Sequence, residues 1–225
     1  MLKNIKLSIK KLKEPGSAIT HFLAMMMAAF AAVPLVMKAF QDGTKVMVSC
    51  LIFAISMILL YGASTIYHSI DKGERINKIL KKLDHAMIFI LIAGSYTPIC
   101  ILVIKGRAGL MLLFLVWAVA IAGIIFKMCF VTCHEWVSST MYIAMGWMCV
   151  IAFAPIMDNT SKIQFFWLLL GGVIYTIGGV IYAIKTPRVH AYNERHKFFG
   201  THEIFHVMVM LGSVCHFIML YNFIS

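Results

Sequence analysis

His202 and His206 stand four residues apart in the run Thr201-His-Glu-Ile-Phe-His206. On a helix that spacing stacks two imidazoles on one face, where both can reach one ion. The ion that fits is zinc. Two histidines from one helix and a third from another leave the fourth tetrahedral position open for water, which is the pattern of a catalytic site. Bound zinc brings the pKa of that water to about 7, and a carboxylate beside it can orient the water or accept its proton. The third imidazole has two candidate sources. Ser64 and His68 repeat the four-residue spacing, and so do Ser17 and His21; spacing alone does not choose between them. Asp84 is the carboxylate expected beside the water. Ser64 is expected as a donor behind the ligands, or to an oxyanion.

These residues have to be positioned by helices in a membrane. Of 225 residues, 61% are hydrophobic and only 13% are charged, about half the charge of an average soluble domain. Seven stretches reach the roughly 20 apolar residues that cross a bilayer core: 15–37, 46–70, 85–104, 108–126, 136–157, 163–184 and 198–225. The expected fold is an all-α integral membrane protein, a bundle of seven transmembrane helices. Residues 1–14 read as a basic cytoplasmic segment and 15–225 as one membrane domain. The first apolar run has no small-residue cleavage site and reads as a retained helix. The net charge of +11 sits in loops, so it points to membrane orientation and not to nucleic acid.

Loop charges assign the sides. With the N-terminus inside, fifteen of the twenty Lys and Arg residues fall on inner segments, among them Lys3–Lys13, Lys72–Lys82, Lys127 and Lys185–Lys197. Five fall outside: Lys38, Lys45, Lys105, Arg107 and Lys162. This bias predicts a cytoplasmic N-terminus and an external C-terminus. His21, Ser64, His68, Asp84, His202 and His206 then all lie at the inner ends of spans, although Lys and Arg alone set the topology. Ionisable groups inside a membrane are costly and mark function. Asp84 would begin the third helix, where the dipole favours a charged carboxylate.

Other polar residues read differently. His216 is expected to be a helix–helix hydrogen-bond partner, and His85, His134, His190 and His196 to be solvated or interfacial. Cys129, Cys133 and His134 have a metal-like spacing but no fourth ligand nearby. The remaining cysteines lie in apolar spans as small hydrophobes. His202 to His206 also matches H-E-x-x-H, in which the Glu is the general base of a zinc protease. That makes an intramembrane metalloprotease an alternative, although no acidic residue follows Glu203 to serve as a later ligand. On a helix, Glu203 projects about 100 degrees round from His202.

As a set, Glu14–His21 (EPGSAITH), Ser64-Thr-Ile-Tyr-His68-Ser, Lys82-Leu-Asp84-His85, Ala93-Gly-Ser-Tyr-Thr-Pro98 and His202-Glu-Ile-Phe-His206 resemble the hemolysin III branch of the progestin and adipoQ receptor family. That family is similar to the adiponectin receptors and, more distantly, to alkaline ceramidases. The resemblance implies a seven-helix bundle with an internal zinc near the cytoplasmic side. It implies His68, His202 and His206 as ligands and gives the zinc water to Asp84. It also implies a role in membrane-lipid homeostasis; the short, loop-poor chain points to a bacterial inner membrane. The expected partners are membrane lipids, with a lipid amide or ester hydrolysed at the zinc. A non-catalytic sensor of membrane order, or a receptor-like protein with structural zinc, is the competing expectation. Eukaryotic receptors carry a sizeable N-terminal domain, whereas only about fourteen residues precede the first span here.

Overall fold

The structure, a computed structural model, describes residues 12–184, 186–196 and 198–224. Most of the basic N-terminal segment, together with Lys185, Lys197 and Ser225, lies outside them. Among the described residues all regular structure is helical. The helices are α1 (Pro15–Gln41), α2 (Thr44–Ser69), α3 (Glu74–Pro98), α4 (Gly106–Cys129), α5 (Glu135–Gly146), α6 (Phe153–Asn159), α7 (Lys162–Ala183), α8 (Pro187–Arg195) and α9 (Thr201–Phe223). α3 runs on through a π-helical turn, Ile99–Ile104, and α5 joins α6 through a 3-10 stretch, Trp147–Ala152. With those continuations, seven helices are long and apolar enough to cross a membrane. α8 is the short polar helix between the sixth and seventh spans.

The sequence makes these boundaries by familiar means. Gly43 and Gly73 adopt φ of 107° and 86° immediately before α2 and α3, a region that disfavours a side chain. Asp71 braces the turn into α3 by accepting a 2.8 Å hydrogen bond from the Asn77 amide. Ser161 and Gln164 form a reciprocal capping box at the start of α7, which satisfies donors that a helix start leaves orphaned.

One boundary differs from expectation. α3 begins at Glu74, so Asp84 is ten residues inside the helix and not at its N-terminal end. Hydropathy marks where lipid begins, but it cannot see a helix continuing past the lipid. The segment Glu74–Leu83 is mostly strong helix formers, with no interior Gly or Pro. The dipole at the helix start therefore does not act on Asp84, because that effect fades within the first turn.

The third span is the most enclosed of the seven and forms the axis of the bundle. Its neighbours approach closely because the contacts carry no bulk. A Cβ on Gly94 would lie 2.3 Å from Ser56 Oγ on α2, and one on Gly123 of α4 would lie 2.2 Å from the Phe89 ring. Small residues at such contacts are how helices pack in lipid, where apolar burial alone gives little drive. Phe53, Phe89 and Val103 are fully buried there. α9 packs along α7 and against α1 and α2. Tyr61 of α2 donates a 2.6 Å hydrogen bond to Ser213 of α9, whose hydroxyl also meets Tyr175 of α7 at 2.8 Å.

Candidate metal centre

His68 is in the last turn of α2, and His202 and His206 occupy the first turns of α9. Their ligand atoms all lie within 4.8 Å of one another, a group able to hold a metal ion. His68 and His206 are buried, and His202 is half-buried. The Nε2 atoms of His68 and His202 are 3.3 Å apart. Tetrahedral donors at about 2.0–2.1 Å from a zinc ion lie about 3.3 Å from each other, so the spacing suits an ion between them.

The outward nitrogens are already engaged. His68 Nδ1 meets the Glu14 carboxylate. A carboxylate only accepts, so Nδ1 carries the proton and the Nε2 lone pair faces inward. Burial works against a charge on Glu14, but the hydrogen bond from His68 and the charges of His68, Lys13 and His202 outweigh it and hold the carboxyl below its ordinary value. His206 Nδ1 lies 3.2 Å from the Thr20 hydroxyl. That hydroxyl spends its proton on the Gly16 and Ser17 carbonyls and so accepts from His206.

Ser64 is fully buried one turn along α2 from His68. Asp84 of α3 sits beside Ser64 and within electrostatic range of His68, although the Ser64 hydroxyl makes no hydrogen bond of normal geometry. A buried hydroxyl without a partner of normal geometry and a buried carboxylate near His68, lining the same cavity as His202 and His206, form a polar group with room for a further partner.

His21 takes a different place from His68. It is buried and stacked on His206, with ring centroids 3.5 Å apart and an interplanar angle of 6°. Both of its nitrogens lack a hydrogen-bond partner, and it is outside the group of three. Glu203 is turned into the protein. One carboxylate oxygen accepts from the Ser17 hydroxyl of α1 and the other accepts from the Gly200 backbone N–H at 2.8 Å, capping α9.

His85 corrects an expectation, being buried and not solvated. The unforeseen extension of α3 carries it inward, beside Asp84, with its Nδ1 unpaired. His134, His190 and His196 are exposed. His216 packs its ring on Tyr175 at 5.3 Å, and its Nε2 has no hydrogen-bond partner. Cys133 receives a 3.2 Å hydrogen bond from the fully buried Lys127, and Cys129 is exposed.

Two cavities meet at the centre. One, of about 370 Å³, runs among α3, α5, α6, α7 and α9, and its floor includes Ser64, Asp84, His202 and His206. Its wall is mostly apolar, and several lining residues are also outward-facing: Trp147, Val150, Phe153 and Leu169 are 39%, 57%, 54% and 44% exposed. The cavity therefore reaches the lipid-facing surface where the 3-10 stretch interrupts the fifth span. The other, of about 410 Å³, is a polar vestibule bearing Lys13, Glu14, Lys81, Glu135, Asn193 and His196. Asp84, His85, Tyr182 and His202 line both. Glu14, Thr20, His85 and Tyr182 were not anticipated as part of the site. The one available signal was that Glu14 and Thr20 belong to the same polar run as Ser17 and His21.

The sequence pattern of the family described as Haemolysin-III related matches residues 9–217. A Hemolysin-3 homolog of Bacillus subtilis (strain 168) is 37% identical over 206 residues, covering 91% of this chain and 91% of that protein. Hemolysin-3 of Bacillus cereus is 35% identical over 207 residues, covering 91% and 89%. Progestin and adipoQ receptor-like protein 1 of Caenorhabditis elegans is 24% identical, covering 91% of this chain and 50% of its own length. The seven spans and the bacterial relatives together make this an integral membrane protein of a bacterial cell membrane. With its histidine group and its motif order, the chain belongs to the haemolysin-III related family, the hemolysin III branch of the progestin and adipoQ receptor proteins.

Proposed function

We propose that this protein is a zinc-dependent hydrolase of lipid amides or esters, serving membrane-lipid homeostasis. The observation that carries the reading is the junction of an apolar, lipid-facing cavity with a polar vestibule at three convergent imidazoles, a buried carboxylate and an unpaired serine. His68, His202 and His206 would hold the ion through Nε2. When bound, zinc supplies Lewis acidity for a carbonyl and acidifies a water.

The chain's own groups account for the rest. Acyl chains enter sideways through the gap at Trp147–Ala152 and lie among Ile88, Ile92 and Leu168. The headgroup stays in the vestibule. That puts the scissile carbonyl at the junction, where Asp84 accepts the proton of the attacking water and returns it to the leaving group. The Ser64 hydroxyl donates to the carbonyl oxygen as charge develops on it, a preorganised contribution that is strongest in a site of low dielectric.

The test is turnover. Purified, zinc-loaded protein in lipid nanodiscs is expected to release free fatty acid from at least one member of a panel of lipid amides and esters, and to lose that release with a zinc chelator. Retained zinc with no release from any lipid would sink the hydrolase and favour the reading in which zinc staples α2 to α9. Against the protease reading stands Glu203, whose carboxylate is committed to Ser17 and Gly200.

The charge bias puts the site in the cytoplasmic half of the bilayer. A reporter active only outside the cytoplasm, fused after Ser225, is expected to be active; the same reporter at the N-terminus is expected to be silent. A silent C-terminal fusion beside an active N-terminal one would invert the topology and move the site to the outer leaflet.

A further inference from the structure

Helix α1 contributes no residue to the group of three histidines, yet its first two turns lie against two of them. Glu14 accepts from His68 Nδ1, and its backbone N–H donates to the His68 carbonyl at 2.9 Å. Thr20 accepts from His206 Nδ1 at 3.2 Å. His21 lies flat on the His206 ring. The approach is too close for any side chain at Gly16, where a Cβ would stand 1.9 Å from the Phe198 carbonyl oxygen. Ser17 fastens the same turn to α9 through Glu203.

An imidazole binds a metal only through a nitrogen that carries no proton. Which nitrogen that is depends on the hydrogen bond made by the other. The partners here are acceptors: a carboxylate for His68, and for His206 the Thr20 hydroxyl, whose proton is already given to backbone carbonyls, together with the Ser17 backbone. Each partner fixes the Nδ1–H tautomer and aims the Nε2 lone pair at the common centre. We infer that α1 is the outer shell of the metal centre, with Glu14 and Thr20 as positioning residues that set the tautomer and pose of His68 and His206. The inference rests on the metal reading above and extends it to a segment that touches no metal. It also explains the polar run Glu14–His21: it faces the ligands from behind.

The test uses full-length protein in detergent, with zinc itself as the probe in competition with a chromophoric chelator. Glu14→Ala is expected to weaken zinc binding 10–100-fold, the usual effect of removing such a partner. Glu14→Gln, which can still accept a hydrogen bond but carries no charge, should fall between. Thr20→Val, which keeps the side-chain shape, should also weaken binding. Thr65→Val, which loses only a bond within α2, should not. A merely structural role would lower the melting temperature of the zinc-free protein and leave zinc affinity intact. Nitrogen NMR of the zinc-free protein should show His68 losing its Nδ1–H preference in Glu14→Ala. If that variant does not fold, Glu14→Gln and Thr20→Val carry the same readouts. Wild-type affinity in all the folded variants would overturn the outer-shell role while leaving the metal site standing. Wild-type protein that binds no zinc would overturn both.

Discussion

Purified wild-type protein is expected to carry about one zinc per chain, and His68→Ala, His202→Ala and His206→Ala should each reduce it to roughly a tenth or less. Each imidazole is one of only three protein donors in the one group of three or more that could hold an ion among the described residues. Two controls make the result specific. His21→Ala removes a ring stacked on His206 but outside the ligand group, and His216→Ala removes a ring packed far along α9 against Tyr175; both should keep their metal. Elemental analysis of detergent-purified protein reads the outcome. Full zinc in all three ligand variants would end the assignment, and loss in His21→Ala alone would move the third ligand to α1.

The second large effect separates two carboxylates. Asp84→Ala should lower any hydrolytic rate by about a hundredfold or more, the scale of a lost general base, whereas Glu203→Gln should keep most of the rate and its zinc. Asp84 is buried beside Ser64, within electrostatic range of His68, and lines the apolar cavity. Glu203 spends both oxygens on Ser17 and on the start of α9. A glutamine there can still accept from one of those donors, so the helix start survives. The measurement is the initial rate against the lipid cleaved in the panel, with zinc content determined on the same preparations. A dead Glu203→Gln beside a normal Asp84→Ala would reverse the roles and bring back the protease.

Much of the fold was legible because a bilayer makes strict demands on sequence. Twenty apolar residues in a row have few other uses, and each of the seven runs became a span. The histidines were legible through the i, i+4 rule, since His202 and His206 share a face on any helix. What local pattern could not supply was contact between distant segments. Ser17/His21 and Ser64/His68 have identical spacing, and only packing decides that His68 meets the pair on α9 while His21 stacks behind it. The polar start of α3 was missed because charged helix formers continue a helix beyond the lipid without any hydropathy signal, and the burial of His85 was misjudged with it. The 3-10 stretch at Trp147–Ala152 is just as silent in composition, although it opens the wall of the cavity.

The bonds between α1 and α9 also bear on how the protein is made. Ser17 meets Glu203 near one end of these helices, and Lys38 donates to the Tyr221 carbonyl at 3.1 Å near the other. The first and seventh of the spans described here are thus bonded to each other near both ends. His68 is synthesised 134 residues before its partner His202, so the nascent chain spends most of its insertion with one imidazole and no centre. An ion held by these three imidazoles could accordingly be captured only after α9 has docked, so its uptake would report that the bundle has closed.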